Sequence, residues 1–323
     1  MTSLRRLGAS DLMVSPIGLG CWQFSQGQGF GGKFWGTMTD EEILAVVRIS
    51  LDGGINWFDT AEAYGRGASE RALARALKAL GKAPGEVVVA TKWHPLFRTA
   101  RSIPKTIGAR IENLGGYPID LFQVHSPLSF SSIKAQMTAM ARLVEEGKIR
   151  TIGVSNFSAR QMRKAQAALA RRGLRLASNQ VRYSLLDRAI ETNGVLDAAK
   201  ELGISIIAYS PLAQGILSGK FHADPSLILR KPGYRRYLGP FKPRGLERSR
   251  PLIEALRDVA AKHGATSSQV ALNWVAAVHG DSVVAIPGAS SPAQAEENAG
   301  ALKFSLARED VELLDRVSRP LMS

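Results

Sequence analysis

Residues 53–65 read GGINWFDTAEAYG, and the fold follows from how this stretch is parsed. The glycine pair Gly53-Gly54 ends a helix well, because glycine alone enters the left-handed region at no steric cost. Ile55, Trp57 and Phe58 then form a short apolar run of the kind expected for a strand buried in a parallel sheet. Asp59 follows directly on that aromatic core, and Tyr64 comes five residues later beside Gly65. An acid and a phenol leaving the carboxyl end of one strand predict an active site there.

Two further strand candidates end in the same way. VVVATK (87–92) carries Lys92 after Val87, Val88 and Val89, and DLFQVH (120–125) carries His125 after Leu121, Phe122 and Val124. Neighbouring strands lie about 5 Å apart, so consecutive strands ending in Asp, Lys and His can bring those side chains together. Taken singly, each has a structural reading: a buried Asp59–Lys92 ion pair, a core histidine, a packed tyrosine. Taken together and in order, they read as a catalytic group.

Outside these segments the chain alternates strand and helix. Strand candidates centre near Gly18, Phe58, Val89, Gln123, Gly153, Gln180, Ile207 and Ala285, mostly 30 to 40 residues apart, the length of one strand-plus-helix unit. Thr39 with Glu42, Ser158 with Gln161, Thr266 with Gln269, and Ser291-Pro292 with Gln294 mark helix starts of the capping-box type, and Ser69 marks another start. Regular alternation predicts a parallel sheet covered by helices, and eight units favour closure into a barrel with its site at the carboxyl ends of the strands. LRRLGASDLMVSPIGLG (4–20) predicts a small hairpin plugging one end. The long segment 213–247 and extra helices near the C-terminus complete a single (β/α)8 domain over residues 1–323.

Composition agrees. The chain has 323 residues, 45% of them hydrophobic, with a formal net charge of +14. A basic surface raises the question of nucleic acid, but zinc-finger spacing, an RNA-binding aromatic motif and a basic tail are all missing. The surplus fits attraction of an anionic cofactor better. One cysteine, Cys21, excludes an intrachain disulfide framework and fits a reducing cytoplasm. With no apolar run of membrane-spanning length and no leader pattern, the expectation is a soluble, cytoplasmic protein without a membrane partner. No metal-ligand spacing stands out, and the oligomeric state is left open.

GINWFDTAEAYG, the Thr91-Lys92 pair, the HSP triplet at 125–127, IGVSNF (152–157), NQVRYSLL (179–186), YSPLAQGILSGK (209–220) and IPGASSPAQAEEN (286–298) together resemble the aldo-keto reductases. The resemblance covers nearly the whole chain. It implies a nicotinamide-dependent carbonyl reductase on a TIM barrel, with Asp59, Tyr64, Lys92 and His125 as the catalytic tetrad. It also implies a cofactor site: Ser155, Asn156 and Gln180 on the carboxamide, Tyr209 stacked on the nicotinamide, and Ser210, Leu212, Gln214, Gly215 and Lys220 over the pyrophosphate. Gly288, Ser290, Gln294, Glu297 and Asn298 match the adenosine end. Trp22 is counted with both cofactor and substrate, and Asp59 with the cofactor.

Many relatives place a Lys or Arg at the positions of Gly288, Ser290 or Gln294 to grip the 2′-phosphate of NADP, and this chain has none there. Arg230, Lys231, Arg235, Arg236, Lys242 and Arg244 in the long loop are candidate substitutes, so NADP is expected, with NAD as the alternative. Gly27-Gln28-Gly29-Phe30-Gly31-Gly32 matches the dinucleotide G-x-G-x-x-G pattern, and Gly27 to Lys33 matches a P-loop except at Phe34. The glycines do not open a helix, so the segment reads as a mouth loop.

The chemistry sets further expectations. The Lys92 ammonium should lower the pKa of the Tyr64 phenol, and Asp59 should keep that ammonium charged. His125 should orient the substrate carbonyl or help move its proton. Trp22 and Trp93 either wall the substrate or only pack at the barrel rim. A working oxidoreductase on aldehydes, ketones or sugars is one functional class; a cofactor-loaded sensor resembling the potassium-channel β subunits is the other.

Overall fold

The computed structural model describes residues 4–29, 36–230 and 234–321. An antiparallel hairpin, β1 (Arg5–Arg6) with β2 (Met13–Val14), opens it. Eight parallel strands then lie side by side in chain order: β3 (Leu19–Gly20), β4 (Trp57–Asp59), β5 (Val88–Trp93), β6 (Leu121–Val124), β7 (Thr151–Ser155), β8 (Leu176–Arg182), β9 (Ser205–Tyr209) and β10 (Val283–Ile286). The first and last strands meet. Gly18 N–H donates to Ala285 C=O at 2.8 Å, Ala285 N–H to Pro16 C=O at 2.9 Å, and Gly20 N–H to Pro287 C=O at 3.0 Å. The sheet therefore closes into the expected (β/α)8 barrel.

Helices α1 (Asp40–Asp52), α2 (Ala68–Ala79), α3 (Ser102–Asn113), α4 (Ile133–Glu145), α5 (Ala159–Ala170) and α6 (Val195–Leu202) fill the first six crossings. The long crossing to β10 holds a short α7 (Lys220–Ala223), several 3₁₀ turns, α8 (Pro243–Lys262) and α9 (Ser267–Ala277). Its turns gather round a small core of their own, Ile216, Phe221, Ile228, Phe241 and Leu246. Helices α10 (Pro292–Gly300) and α11 (Arg308–Ser318) end the chain.

Local chemistry sets the helix starts. Thr39, Ser158 and Thr266 form reciprocal capping boxes with Glu42, Gln161 and Gln269, each worth about 1 kcal/mol. Ser291 caps α10, but Gln294 turns its side chain to the Ser290 N–H and hydroxyl instead of closing the box. Ser69 is no cap. Helix α2 starts one residue earlier, after Gly67, and the buried Ser69 hydroxyl donates to the Cys21 carbonyl at 2.6 Å. The two glycines after α1 serve different ends. Gly54 takes φ +91°, while Gly53 leaves room for α10, since a Cβ there would stand 2.3 Å from that of Ala299.

The barrel interior is layered by the period of two along each strand. Trp57, Ala90, Leu121, Ala177, Ile207 and Val284 form a lower layer with Leu7, Leu12 and Val14 of the hairpin segment. The hairpin thus stoppers the amino-terminal end. Two residues further along five of those strands come Asp59, Lys92, Gln123, Tyr209 and Ile286. The apolar floor ends there and polar chemistry begins.

Candidate active site

The upper layer is a hydrogen-bonded unit around Asp59. One carboxylate oxygen pairs with Lys92 Nζ. The other accepts from Gln123 Nε2 and from Gln180 Nε2, each at 2.9 Å. Lys92 Nζ also donates to Thr60 C=O at 2.9 Å and to the Tyr64 hydroxyl at 3.4 Å. Asp59 and Lys92 are completely buried. Such a pair is tolerated because both carboxylate oxygens and the ammonium find partners. Gly153 makes room for it: a Cβ there would come 2.4 Å from Ser178 Oγ and 2.9 Å from Gln123 Cγ.

Tyr64 reaches this unit from the loop after β4, and that loop is tied down. Glu62 accepts from His94 N–H at 2.5 Å, pairs with Arg98, and pairs with Arg110 at 2.7 Å. Arg110 in turn holds the buried Glu70 of α2 at 2.8 Å. The Tyr64 ring stacks on Trp22 with centroids 5.9 Å apart and meets His125 edge-on at 5.6 Å. His125 also meets His94 edge-on at 5.7 Å. Asp59, Tyr64, Lys92 and His125 therefore converge, although they come from four segments.

Burial is the largest single influence on the proton affinities of Tyr64, Lys92 and His125. The Tyr64 ring is partly exposed in the cleft, but its hydroxyl is enclosed, and this burial raises its pKa despite the opposing pull of Lys92. The expected depression of that pKa is thereby corrected: desolvation outweighs the ammonium. Burial is also the largest influence on Lys92 and acts to lower its pKa, but Asp59 and Tyr64 together hold it above the usual lysine value. Burial, then Lys92 and His94, push His125 well below the ordinary histidine range, so it is neutral at neutral pH. Its Nδ1 is buried without a protein partner.

These groups stand in a cavity of about 850 Å³ at the carboxyl ends of the strands. Ser155, Asn156, Gln180, Tyr209, Ser210, Leu212, Gln214, Gly215, Lys220, Gly288, Ser290, Gln294, Glu297 and Asn298 all line it, as does Trp22. Lys92 lies behind the wall. Tyr209 is fixed through its hydroxyl, which donates to Asn156 at 3.1 Å, and Asn156 donates to Ser155 Oγ at 3.1 Å. Asn156, Ser210 and Gln214 all have positive φ, strain of the kind that collects at binding sites.

Some expectations do not survive. Trp93 is no substrate wall: its side chain is completely buried outside the cavity, where its indole N–H donates to Ser102 Oγ of α3 at 3.0 Å. Lys92 points inward, so its strand neighbour must point outward. His94 and Leu96 face the cavity instead. Of the loop cations, Arg235 alone among the described candidates reaches the cavity. Arg236 bonds the hydroxyl of its neighbour Tyr237, and Lys242 and Arg244 stand at the start of α8. Lys231 and Phe30–Trp35, which include the second half of the glycine-rich pattern with Lys33 and Phe34, lie outside the described residues.

A dinucleotide fits the residues present. The cavity is lined with mixed polarity, and the buried Gln23 Oε1 and Ser268 Oγ on its wall have no partner among the described residues. Gly288 lies against Gln23, where a Cβ would meet Nε2 at 2.2 Å, so a side chain at 288 would have to displace the Gln23 amide. Lys220 and Arg235 stand 5.1 and 5.8 Å from the centre of one ring, Phe221, and two cations held together suit an anion. Gln23, Gln123, His94 and Ser268 escaped the sequence reading.

Comparison with known proteins agrees with this geometry. The family model described as Aldo/keto reductase family matches residues 16–319. An uncharacterised oxidoreductase of Mycobacterium tuberculosis is 39% identical over 308 residues, covering 95% of this chain and 90% of its own. The structure of a glycerol dehydrogenase from Gluconobacter oxydans superposes with a TM-score of 0.84 at 28% identity, covering 98% of this chain and 95% of that one. An aldo-keto reductase from Klebsiella pneumoniae, solved in complex with NADPH, gives 0.73 at 26% identity, with 98% and 95% covered. The family match runs through nearly the whole barrel, and so the chain belongs to the aldo/keto reductase family of NAD(P)H-dependent oxidoreductases.

Proposed function

We propose that the protein reduces an aldehyde or ketone with NADP(H), and that Tyr64 gives the proton to the carbonyl oxygen. The observation that carries this reading is Tyr64, which lines the cleft and holds its hydroxyl 3.4 Å from the Lys92 ammonium. The bound reduced nicotinamide supplies the hydride. The protein's own groups do the rest. Tyr64 is protonated across the physiological range because burial keeps its pKa up, so it is available as a general acid.

Lys92 stabilises the phenolate that forms, and Asp59 keeps Lys92 charged. His125, neutral for the reasons above, can donate one N–H to the carbonyl oxygen and hold it toward Tyr64. Ser155, Asn156, Gln180 and Tyr209 are assigned to the nicotinamide, and Gly288, Ser290, Gln294, Glu297 and Asn298 to the adenosine end. The paired cations Lys220 and Arg235 favour NADP over NAD. Burial, and then Arg235, hold the Lys220 ammonium below the usual lysine value, a repulsion that a phosphate would relieve. The NADPH complex of the Klebsiella relative supports the same choice.

A panel of aldehydes, ketones and sugars, followed by loss of reduced-cofactor absorbance, tests the proposal. Turnover of several carbonyls with NADPH is the expected outcome. No turnover on any of them, with cofactor binding intact, would leave a cofactor-binding protein and sink the enzyme reading.

A further inference from the structure

The turn Gly65-Arg66-Gly67 puts one charge on the cleft wall for which the reduction described above has no use. All three residues take left-handed backbone angles, with φ of +65°, +55° and +86°. Gly65 is required by space as well, since a Cβ there would come 2.2 Å from the Ser25 carbonyl oxygen. Arg66 holds the same conformation with a full side chain, and such strain points to a use for the residue that bears it.

The guanidinium is free. Arg66 lines the cavity and is exposed, and no hydrogen bond or ion pair to a described residue engages it. The other charges near the tetrad are taken. Asp59 is bound by Lys92, Glu62 by Arg98 and Arg110, and Arg182 stands 3.7 Å from Asp187. His94, on the same cavity wall, is held toward its neutral form by burial. An unpaired cation thus lines the same cavity as the proton donor. Two residues of chain span at most about 7 Å, and Arg66 and Tyr64 line one cavity, so a single small molecule can meet both side chains.

We infer that Arg66 binds an anionic group, a carboxylate or a phosphate, on the carbonyl compound that Tyr64 protonates. The preferred substrates are then small aldehydes or ketones that carry an acid group. This deepens the carbonyl-reductase reading and rests on it. A guanidinium matches both anions through two parallel N–H donors, and that geometry separates it from a lysine at the same place.

The test compares matched pairs: succinic semialdehyde with butyraldehyde, and glyceraldehyde 3-phosphate with glyceraldehyde. The acidic member of at least one pair should show a kcat/KM higher by roughly 10- to 100-fold, the worth of a charge-assisted contact. Arg66→Gln should bring that ratio close to one, and Arg66→Lys should retain part of it. The pair with the larger ratio tells carboxylate from phosphate. Equal kcat/KM within both pairs, or a ratio unchanged by Arg66→Gln, would overturn the inference.

A binding arm does not depend on turnover. With NADP present, succinate should quench tryptophan fluorescence at lower concentration than butyrate, and the two should become equal in Arg66→Gln. If no carbonyl of any kind is reduced, the reductase reading fails, and equal succinate and butyrate affinities in the unmodified protein would overturn the role of Arg66 separately.

Discussion

The Lys92 ammonium lies 3.4 Å from the Tyr64 hydroxyl and 4.9 Å from the centre of its ring. Even so, the phenol is a weaker acid than free tyrosine, because its enclosure costs the phenolate more than the ammonium returns. In the proposed reduction the lysine acts most strongly on the charged form, and that form exists only after the proton has left. Its effect is therefore greatest where catalysis needs it.

The sign of the pH dependence follows. A donor whose pKa is raised stays protonated through neutral pH, so carbonyl reduction should be level from about pH 6 to 9 and fall only above the ordinary tyrosine value near 10. Alcohol oxidation needs the phenolate and should rise with pH over the same interval. Steady-state profiles in both directions check this; a reduction rate that halves near neutrality would point to a different acid.

Tyr64→Phe keeps the ring and its stacking on Trp22 and removes only the hydroxyl. Turnover should drop by about 10²- to 10⁴-fold, with NADPH affinity nearly unchanged. Single-turnover rates and a fluorescence titration on the two proteins decide it. Equal rates would mean that another group donates the proton.

Asp59→Asn leaves a fully buried ammonium without its counter-charge. A loss of roughly 3–5 kcal/mol is expected for breaking such a pair, together with slower turnover. Denaturant titration gives the first and steady-state assay the second. A wild-type midpoint and wild-type turnover together would remove the pair from the mechanism.

His125 is neutral in the fold, and its pKa is depressed by burial, then by Lys92 and His94. A depressed group contributes stability that is present above its unfolded pKa, near 6.5, and is lost as pH falls from there toward the folded value. Unfolding midpoints of the unmodified protein should therefore fall faster below pH 6.5 than those of His125→Gln. Parallel curves would show that protonating this site costs the fold nothing.

NADPH should bind more tightly than NADH, and Arg235→Ala should close most of the gap. Arg235 stands beside Lys220 on the cavity wall, where a 2′-phosphate would meet two cations. Titration by fluorescence reads both constants. If the two cofactors bind alike to the unmodified protein, the loop does not replace the basic residue missing at 288–294.

The eight strands and three reciprocal caps were legible because each depends on residues close in sequence, as Thr39 and Glu42 show. The tetrad was legible because strand ends in a parallel barrel share one rim. Trp93 was misplaced for want of one step, since alternation from the inward Lys92 sends it outward. The same count from His125 finds Gln123, which holds Asp59 from the next strand but one. Gln23 and Ser268 were not legible at all. They reach the cavity from a 3₁₀ turn and from the start of α9, and only the closed barrel makes them neighbours.

That closure has a thermodynamic reach of its own. The strands joined last, β3 and β10, belong to opposite ends of the chain, and beyond their few hydrogen bonds Gly20, Pro287 and Gly288 form part of the cavity wall. A molecule lying across Gly288 touches both margins of the seam and cannot do so once the seam opens. Its concentration then acts as a clasp, adding RT ln(1 + [L]/Kd) to the closed form. Amide exchange at Gly18 and Gly20 should slow in step with cofactor concentration, making the two ends of the gene jointly answerable for how tightly one ligand is held.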